Sequence, residues 1–251
     1  MTETAGGPLL EVTDLRKSYG ERVVLSDVDL VVNAHDVVCL IGSSGSGKST
    51  LLRCLNLLED VDDGVIRFEG REISDPRVDR RAVRSRMGMV FQAYNLFPHL
   101  TVLENCTLAP RRVHGLSRAA AEERARQLLD QFGLADQAGK HPDRLSGGQQ
   151  QRAALVRALC TSPTLLLLDE ITAALDPELV GEVLTIVRDL AEQGTTMVLA
   201  THEMSFARDV ATSVCFLHEG RILEQGPPEQ LLTDPREART RQFLRRVLPP
   251  A

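Results

Sequence analysis

Residues 42–50 read Gly-Ser-Ser-Gly-Ser-Gly-Lys-Ser-Thr. They follow the apolar run 37–41 (Val-Val-Cys-Leu-Ile) and precede the run 51–58, which has a helical pattern. The spacing is G-x-x-x-x-G-K-[ST], and the order strand, glycine loop, helix is the context in which that spacing binds phosphate. Glycines let the backbone bend so that several N–H groups converge on one anion. The helix that follows adds the positive end of its dipole. Lys48 supplies a point charge for the outer phosphates, and Ser49 supplies a hydroxyl for Mg²⁺. Gly42, Ser43, Ser44, Gly45, Ser46, Gly47, Lys48, Ser49 and Thr50 are therefore the candidate phosphate-binding residues.

Two other segments fit that chemistry. Residues 164–170 read Thr-Leu-Leu-Leu-Leu-Asp-Glu, a buried-type strand that ends in adjacent acids. Asp169 at the strand tip can hold Mg²⁺ through water, and Glu170 can polarise an attacking water. Phosphoryl transfer needs both charge neutralisation by metal and a positioned nucleophile. Residues 145–152 read Leu-Ser-Gly-Gly-Gln-Gln-Gln-Arg and open a helical run that ends near Cys160. Ser146, Gly147, Gly148 and Gln149 at that helix start form a second place where N–H groups meet an anion. An ordinary serine N-cap with a glycine turn accounts for the same residues.

Around these segments the pattern is α/β. Strand-like runs occupy 28–32, 37–41, 65–68, 89–91, 165–168, 196–200 and 214–217. Several are apolar throughout, as expected of parallel strands covered on both faces. Helical periodicity is clear over 117–132, 147–160 and 178–191. The last has Asp176 as N-cap, Pro177 at the first helical position and Gly194 near the stop. Between Tyr94 and Ser162 no strand pattern appears, which predicts a helical insert between strands of the sheet. At the end of the chain, Phe243, Leu244, Val247 and Leu248 form an apolar helical face.

Composition narrows the functions available. The chain has 251 residues, 43% of them apolar and 25% charged, as for an ordinary globular protein. With 29 Lys+Arg against 35 Asp+Glu the formal net charge is −6. That balance gives no reason to expect nucleic acid as the main ligand, because binding a phosphate backbone needs a basic surface, and no nucleic-acid partner is expected. The longest apolar run, 37–41, is far short of the roughly 20 residues that span a bilayer. Residues 1–8 lack the basic and apolar regions of a secretory signal. The five cysteines are scattered without a CxxC pair and read as packed, reduced thiols.

Leu145–Gln149, with the Gln-Gln-Arg that follows, resembles the signature motif of ATP-binding-cassette (ABC) ATPases. Further matches follow in that family's order. Tyr19, in Arg-Lys-Ser-Tyr-Gly, resembles the aromatic that stacks on adenine. Gln92, in Val-Phe-Gln, resembles the Q-loop glutamine, which reaches Mg²⁺ and the attacking water. Residues 173–176, Ala-Ala-Leu-Asp, resemble the D-loop, whose Asp176 region contacts the opposite subunit. His202, in Ala-Thr-His-Glu, resembles the switch histidine at the γ-phosphate. The resemblance implies ATP and Mg²⁺ as cofactors, with Glu170, His202, Lys48 and Gln92 catalytic. It implies Ser49, Gln92 and Asp169 at the metal. Ser146, Gly147, Gly148 and Gln149 would contact ATP held by a second chain. The fold implied is a P-loop NTPase sheet core with an antiparallel N-terminal β subdomain and a helical insert. It forms one ABC domain over 1–251, with 1–92 and 163–251 as core and 93–162 as the helical signature subdomain. Two positions depart from the pattern. Ile171 stands where proline is usual, which leaves the loop after Glu170 freer. Ala173 stands where serine is usual, which removes one hydroxyl.

Finer resemblance bears on the cellular role. Residues 91–105 (Phe-Gln-Ala-Tyr-Asn-Leu-Phe-Pro-His-Leu-Thr-Val-Leu-Glu-Asn), 53–59, 201–208, 224–229 and 239–244 are similar to polar amino acid importers. This implies an energy-coupling subunit that works as a head-to-tail homodimer on the cytoplasmic face of the cell membrane. Its implied partners are two transmembrane permease subunits and, indirectly, an extracytoplasmic substrate-binding protein. The alternative is an ABC export or lipoprotein-release ATPase. Leu96 and Phe97 are the candidates for contact with a permease helix.

Overall fold

The computed structural model describes residues 7–247. Most of the segment read for a signal, residues 1–6, lies outside the described residues, as does Leu248 of the terminal apolar face. In chain order the first elements are β1 (Leu10–Tyr19), β2 (Arg22–Val32), β3 (Val37–Ile41), α1 (Lys48–Leu55), β4 (Asp63–Phe68), β5 (Arg71–Glu72) and α2 (Arg80–Arg84). Then come β6 (Met87–Val90), α3 (Val102–Arg112), α4 (Arg118–Gln131), α5 (Gly147–Leu159), β7 (Leu165–Asp169) and α6 (Pro177–Glu192). The chain ends with β8 (Met197–Ala200), α7 (Met204–Val210), β9 (Ser213–His218), β10 (Arg221–Gly226), α8 (Pro228–Thr233) and α9 (Ala238–Val247). Among the described residues no helix is long and apolar enough to cross a membrane.

The described chain forms two compact units, residues 7–83 with 194–247, and Arg84–Gln193. In the first, β2, β1, β4 and β5 make an antiparallel sheet, the N-terminal β subdomain expected above. Beside it, β3 runs parallel to both β8 and β9, and β10 returns antiparallel to β9. Every residue of β3 and β8 is buried, which is why their sequences read as unbroken apolar runs. α9 closes on the sheet through Phe243, whose ring lies 5.0 Å from that of Phe216 in β9.

The second unit holds the helical stretch 93–162 together with two strands. β6 and β7 are parallel, with Met87 opposite Leu165 and Val90 opposite Leu168. No strand lies between Val90 and Leu165. α4 buries Ala121, Ala125 and Leu129 against its neighbours α3 and α5. Arg124 and Arg152 add bonds to the Leu159 and Phe132 carbonyls, each at 3.2 Å.

All five cysteines are free and buried. Burial pushes the thiols of Cys54 and Cys215 up to about 12, and Cys39 higher still. Cys106 is raised by its hydrogen bond with Cys160 and by burial. A thiol raised in pKa carries almost no thiolate at about pH 8, and the thiolate is the nucleophile. Native protein is expected to show no rapid reaction with a disulfide reagent, and all five thiols should react after denaturation. A fast native phase overturns this.

Candidate ATP-binding and hydrolysis site

The phosphate loop is built where β3 leaves the sheet. A Cβ on Gly42 would stand 2.3 Å from the Leu217 carbonyl oxygen, and its φ is +151°. Only glycine fits there. The loop then folds back on itself. Ser46 N–H donates to the Ser43 carbonyl at 3.1 Å, and Lys48 Nζ donates to the carbonyls of Gly42 and Ser43 at 3.0 and 3.3 Å. Lys48 is 3% exposed. Ser46 Oγ is buried with no hydrogen-bond partner in the structure. A buried hydroxyl in that position wants a ligand oxygen. The predicted helix over 51–58 begins earlier and ends sooner, because Lys48 itself opens α1. No side chain caps α1, since its N-cap is Gly47, and no acid occupies its first turn. Its N-terminus therefore keeps a positive field for an anion.

Two more residues of this unit belong beside the loop. Tyr19 ends β1, is 45% exposed, and has Lys17 Nζ 5.1 Å from its ring centroid. Burial and the nearby Glu59 raise its phenol's pKa, while a hydrogen bond with Thr50 opposes them. That places the phenol at the end of the loop 42–50. His202 lies two residues past Ala200, which pairs with Leu40, just as Gly42 lies two past Leu40. The histidine and the loop thus leave neighbouring strands at the same edge. Glu203 N–H donates to the buried Thr201 hydroxyl at 3.0 Å and fixes the turn that carries His202.

The second unit repeats the arrangement. Val90 and Leu168 are in register, so Gln92 and Glu170 each lie two residues past that pair, on one edge. Asp169, the last residue of β7, is 3% exposed. Glu170 has φ +46°, an uncommon conformation for a residue with a side chain. It is the kind of local strain that functional turns hold. The turn after it is tied by Ala173 N–H to the Glu170 carbonyl (3.0 Å) and Leu175 N–H to that of Thr172 (3.1 Å). Ile171, where the resemblance led to a freer loop, is 5% exposed and packs inward. Asp176 is the N-cap of α6 with Pro177 at its first position, as read, but the carboxylate makes no capping hydrogen bond. At the signature segment Ser146 caps α5 in a full capping box: Gln149 N–H donates to Ser146 Oγ (3.3 Å), and Ser146 N–H to Gln149 Oε1 (3.0 Å).

For Mg²⁺, the first unit by itself offers the Ser49 hydroxyl, and the second by itself offers the Gln92 amide oxygen and the Asp169 carboxylate. Such hard oxygen donors suit that ion, which is commonly held by one or two carboxylates plus substrate phosphates. Sequence reasoning missed Asn105. It is 1% exposed and fastens the loop 97–101, accepting from Phe97 N–H at 2.8 Å. Its amide donates to the carbonyls of Phe97, Leu100 and Thr101. The Thr101-x-x-Glu104 capping box that starts α3 was a visible signal for this corner.

The family model described as ABC transporter matches residues 25–173. The chain belongs to the ABC transporter family. It is 48% identical over 239 residues to the glutamine transport ATP-binding protein GlnQ of Escherichia coli, covering 95% of this chain and 100% of that protein. It is 52% identical over 248 residues to the histidine/lysine/arginine/ornithine transport ATP-binding protein HisP of the same organism (94% and 96%). The L-cystine import ATP-binding protein TcyC of Bacillus subtilis is 48% identical (96% and 100%). Among solved structures, the dimeric ATP-binding cassette MJ0796 bound to ADP and Pi superposes with a TM-score of 0.80 at 31% identity, covering 87% of this chain and 98% of that one. The fold is thus the α/β P-loop NTPase fold of ABC nucleotide-binding domains, and the chain is an ABC-type ATPase.

The Gly42 approach supplies a sharp test. Gly42→Ala forces the Leu217 backbone to shift, at a cost on the order of 3 kcal/mol. The variant is expected to melt several degrees lower and to bind no nucleotide by calorimetry. Unchanged melting and binding would show that the loop has room the structure denies.

Proposed function

We propose that this chain is the ATP-hydrolysing, energy-coupling subunit of an ABC importer for polar amino acids. The observation that carries this is the set of relatives at 48–52% identity, matched over nearly their whole length and named for glutamine, cystine and basic amino acid transport. One of them, TcyC, is named for import and is covered over its whole length, which favours import over the export or lipoprotein-release alternative. In this reading the chain pairs head to tail with a second copy, peripherally on the cytoplasmic face of the membrane. Two permease subunits and, through them, an extracytoplasmic binding protein complete the system. The domain is one cassette, with 93–162 as its signature arm.

The residues divide the chemistry among them. The N–H groups of residues 42–50 cradle phosphates, and Lys48 neutralises them. Tyr19 offers its exposed face to the adenine. Bound Mg²⁺ would screen the phosphate charge, held by Ser49, Gln92 and Asp169. Glu170 orients and deprotonates water, and His202 steadies the γ-phosphate. Ser146, Gly147, Gly148 and Gln149 meet the ATP of the partner copy, and Asp176 lies in the segment facing it. Closure on ATP and release after hydrolysis bias the permease between two states. The loop 96–101, stiffened by Asn105, presents the 43%-exposed Phe97 beside Leu96 for a permease helix.

Four measurements test this. Glu170→Gln is expected to retain ATP binding and lose most turnover, about a hundredfold or more for a general base; wild-type turnover refutes the base. Lys48→Ala should weaken ATP binding itself in calorimetry. Cells lacking the chain should lose uptake of a polar amino acid, restored by wild type and not by Glu170→Gln. Uptake unchanged across a full panel overturns the import reading. Hydrogen exchange at residues 96–101 should slow only in the complex with permease, and no change on assembly removes the docking assignment.

A further inference from the structure

One hydroxyl in the second unit touches three functional segments. Tyr94 Oη donates to the Ala174 carbonyl at 3.2 Å. A Cβ on Gly147 would stand 3.3 Å from the same oxygen. Tyr94 is two residues past Gln92, Ala174 is four past Glu170, and Gly147 belongs to the signature loop. The phenol therefore spans from the loop after β6 to the turn after β7, over a glycine of the signature helix α5. Any side chain larger than hydrogen at 147 would crowd it.

The tyrosine is itself held in place. Tyr94 and Asn95 both have left-handed φ, +57° and +53°. Two consecutive residues with side chains rarely adopt that region unless their surroundings impose it. Here Arg157 of α5 imposes it: its guanidinium donates to the Tyr94 carbonyl at 3.0 Å and to the Asn95 carbonyl. Tyr94 N–H closes the turn on the Phe91 carbonyl at 3.2 Å.

We propose that Tyr94 is a positioning residue for ATP hydrolysis: its hydroxyl fastens the turn that carries Glu170 to the loop that carries Gln92, so that the two side chains move as one body. This deepens the ATPase reading above and rests on it. Arg157 anchors the same device from α5, so a push on residues 94–97 is transmitted to the Glu170 turn. The Ala174 carbonyl thereby receives a hydrogen bond in a segment where Ala173 supplies no hydroxyl.

Tyr94→Phe removes the hydroxyl and keeps the ring. In the full-length protein kcat for ATP hydrolysis is expected to fall about five-fold, the weight of one neutral hydrogen bond. KM, the calorimetric Kd for ATP and the melting midpoint should stay as in wild type. Arg157→Lys should lower kcat as well, and the double variant should be no slower than Arg157→Lys alone, because both act through one contact. Amide exchange over residues 170–175 should quicken in Tyr94→Phe while α5 is unchanged. Wild-type kcat and exchange in Tyr94→Phe overturn the latch and leave the ATPase reading standing. Loss of kcat accompanied by an equal change in KM, or by lowered melting, also overturns it, since that marks a merely structural role. A wild-type protein without ATP turnover overturns both.

Discussion

The carbonyl oxygen of Leu217 occupies the space where a side chain on residue 42 would have to go. That approach follows from the sheet. β3 and β9 run parallel with Ile41 opposite Phe216, both strands packed from both faces, so the chain beyond Ile41 leaves the sheet in the lee of β9. With no Cβ at 42 the backbone can turn at once, and Lys48 can reach back to the Gly42 and Ser43 carbonyls. The ammonium and the first turn of α1 are thereby fixed around one small volume. An overall charge of −6 does not oppose anion binding there, because the field is set by local N–H groups and one buried cation.

What the sequence revealed depended on how much of each signal was carried by burial. β3, β7 and β8 bury nearly every side chain, so apolar runs announced them. β1 was invisible because its alternation breaks. Leu10 and Val12 face the core, then Asp14 takes φ +51° and the register shifts, so Leu15 and Lys17 face inward next. β2 was seen only in its second half for the same reason at Asp27, also at φ +51°. β10 reads Arg-Ile-Leu-Glu-Gln-Gly and buries only Glu224, whose carboxylate accepts from the Arg236 and Glu237 N–H groups ahead of α9. A strand whose inward residue is an acid carries no hydrophobic period. Of the candidate site, the glycine loop at 42–50 and the acidic strand end at 169–170 were legible by spacing. Arg157 and Asn105 were not, because what they bind is backbone carbonyl, and no side-chain pattern records that.

The two helix starts that the sequence marked as anion sites are built differently. α1 has a glycine N-cap in the left-handed conformation, which has no side chain with which to cap the helix. α5 has Ser146, whose hydroxyl already accepts from Gln149 N–H while Gln149 caps in return. Such a box is worth about 1 kcal/mol to a helix. Hence α5 stands complete without a ligand, and a phosphate reaching it must compete with an internal bond. The Gly47 cap of α1 offers no such side-chain bond. The ordinary-cap reading of Ser146 thus describes a hydroxyl already engaged within its own helix, and the difference gives α1 the stronger claim on an anion.

The turn after Glu170 shows how a departure from a family pattern is absorbed. Proline at 171 would fix one dihedral through its ring. Ile171 reaches a comparable restraint by burial, since an inward-packed side chain of that size contributes about 1.5–3 kcal/mol that is lost if the turn swings out. The two backbone bonds from Ala173 and Leu175 close the turn behind it. Glu170 is then held at φ +46° from its C-terminal side by packing and from its N-terminal side by the buried β7. Strain at that residue survives because both flanks are fixed, which is the condition under which a strained conformation persists. Loosening either flank lets Glu170 relax toward ordinary φ, and the carboxylate would leave the edge that β6 and β7 define in register.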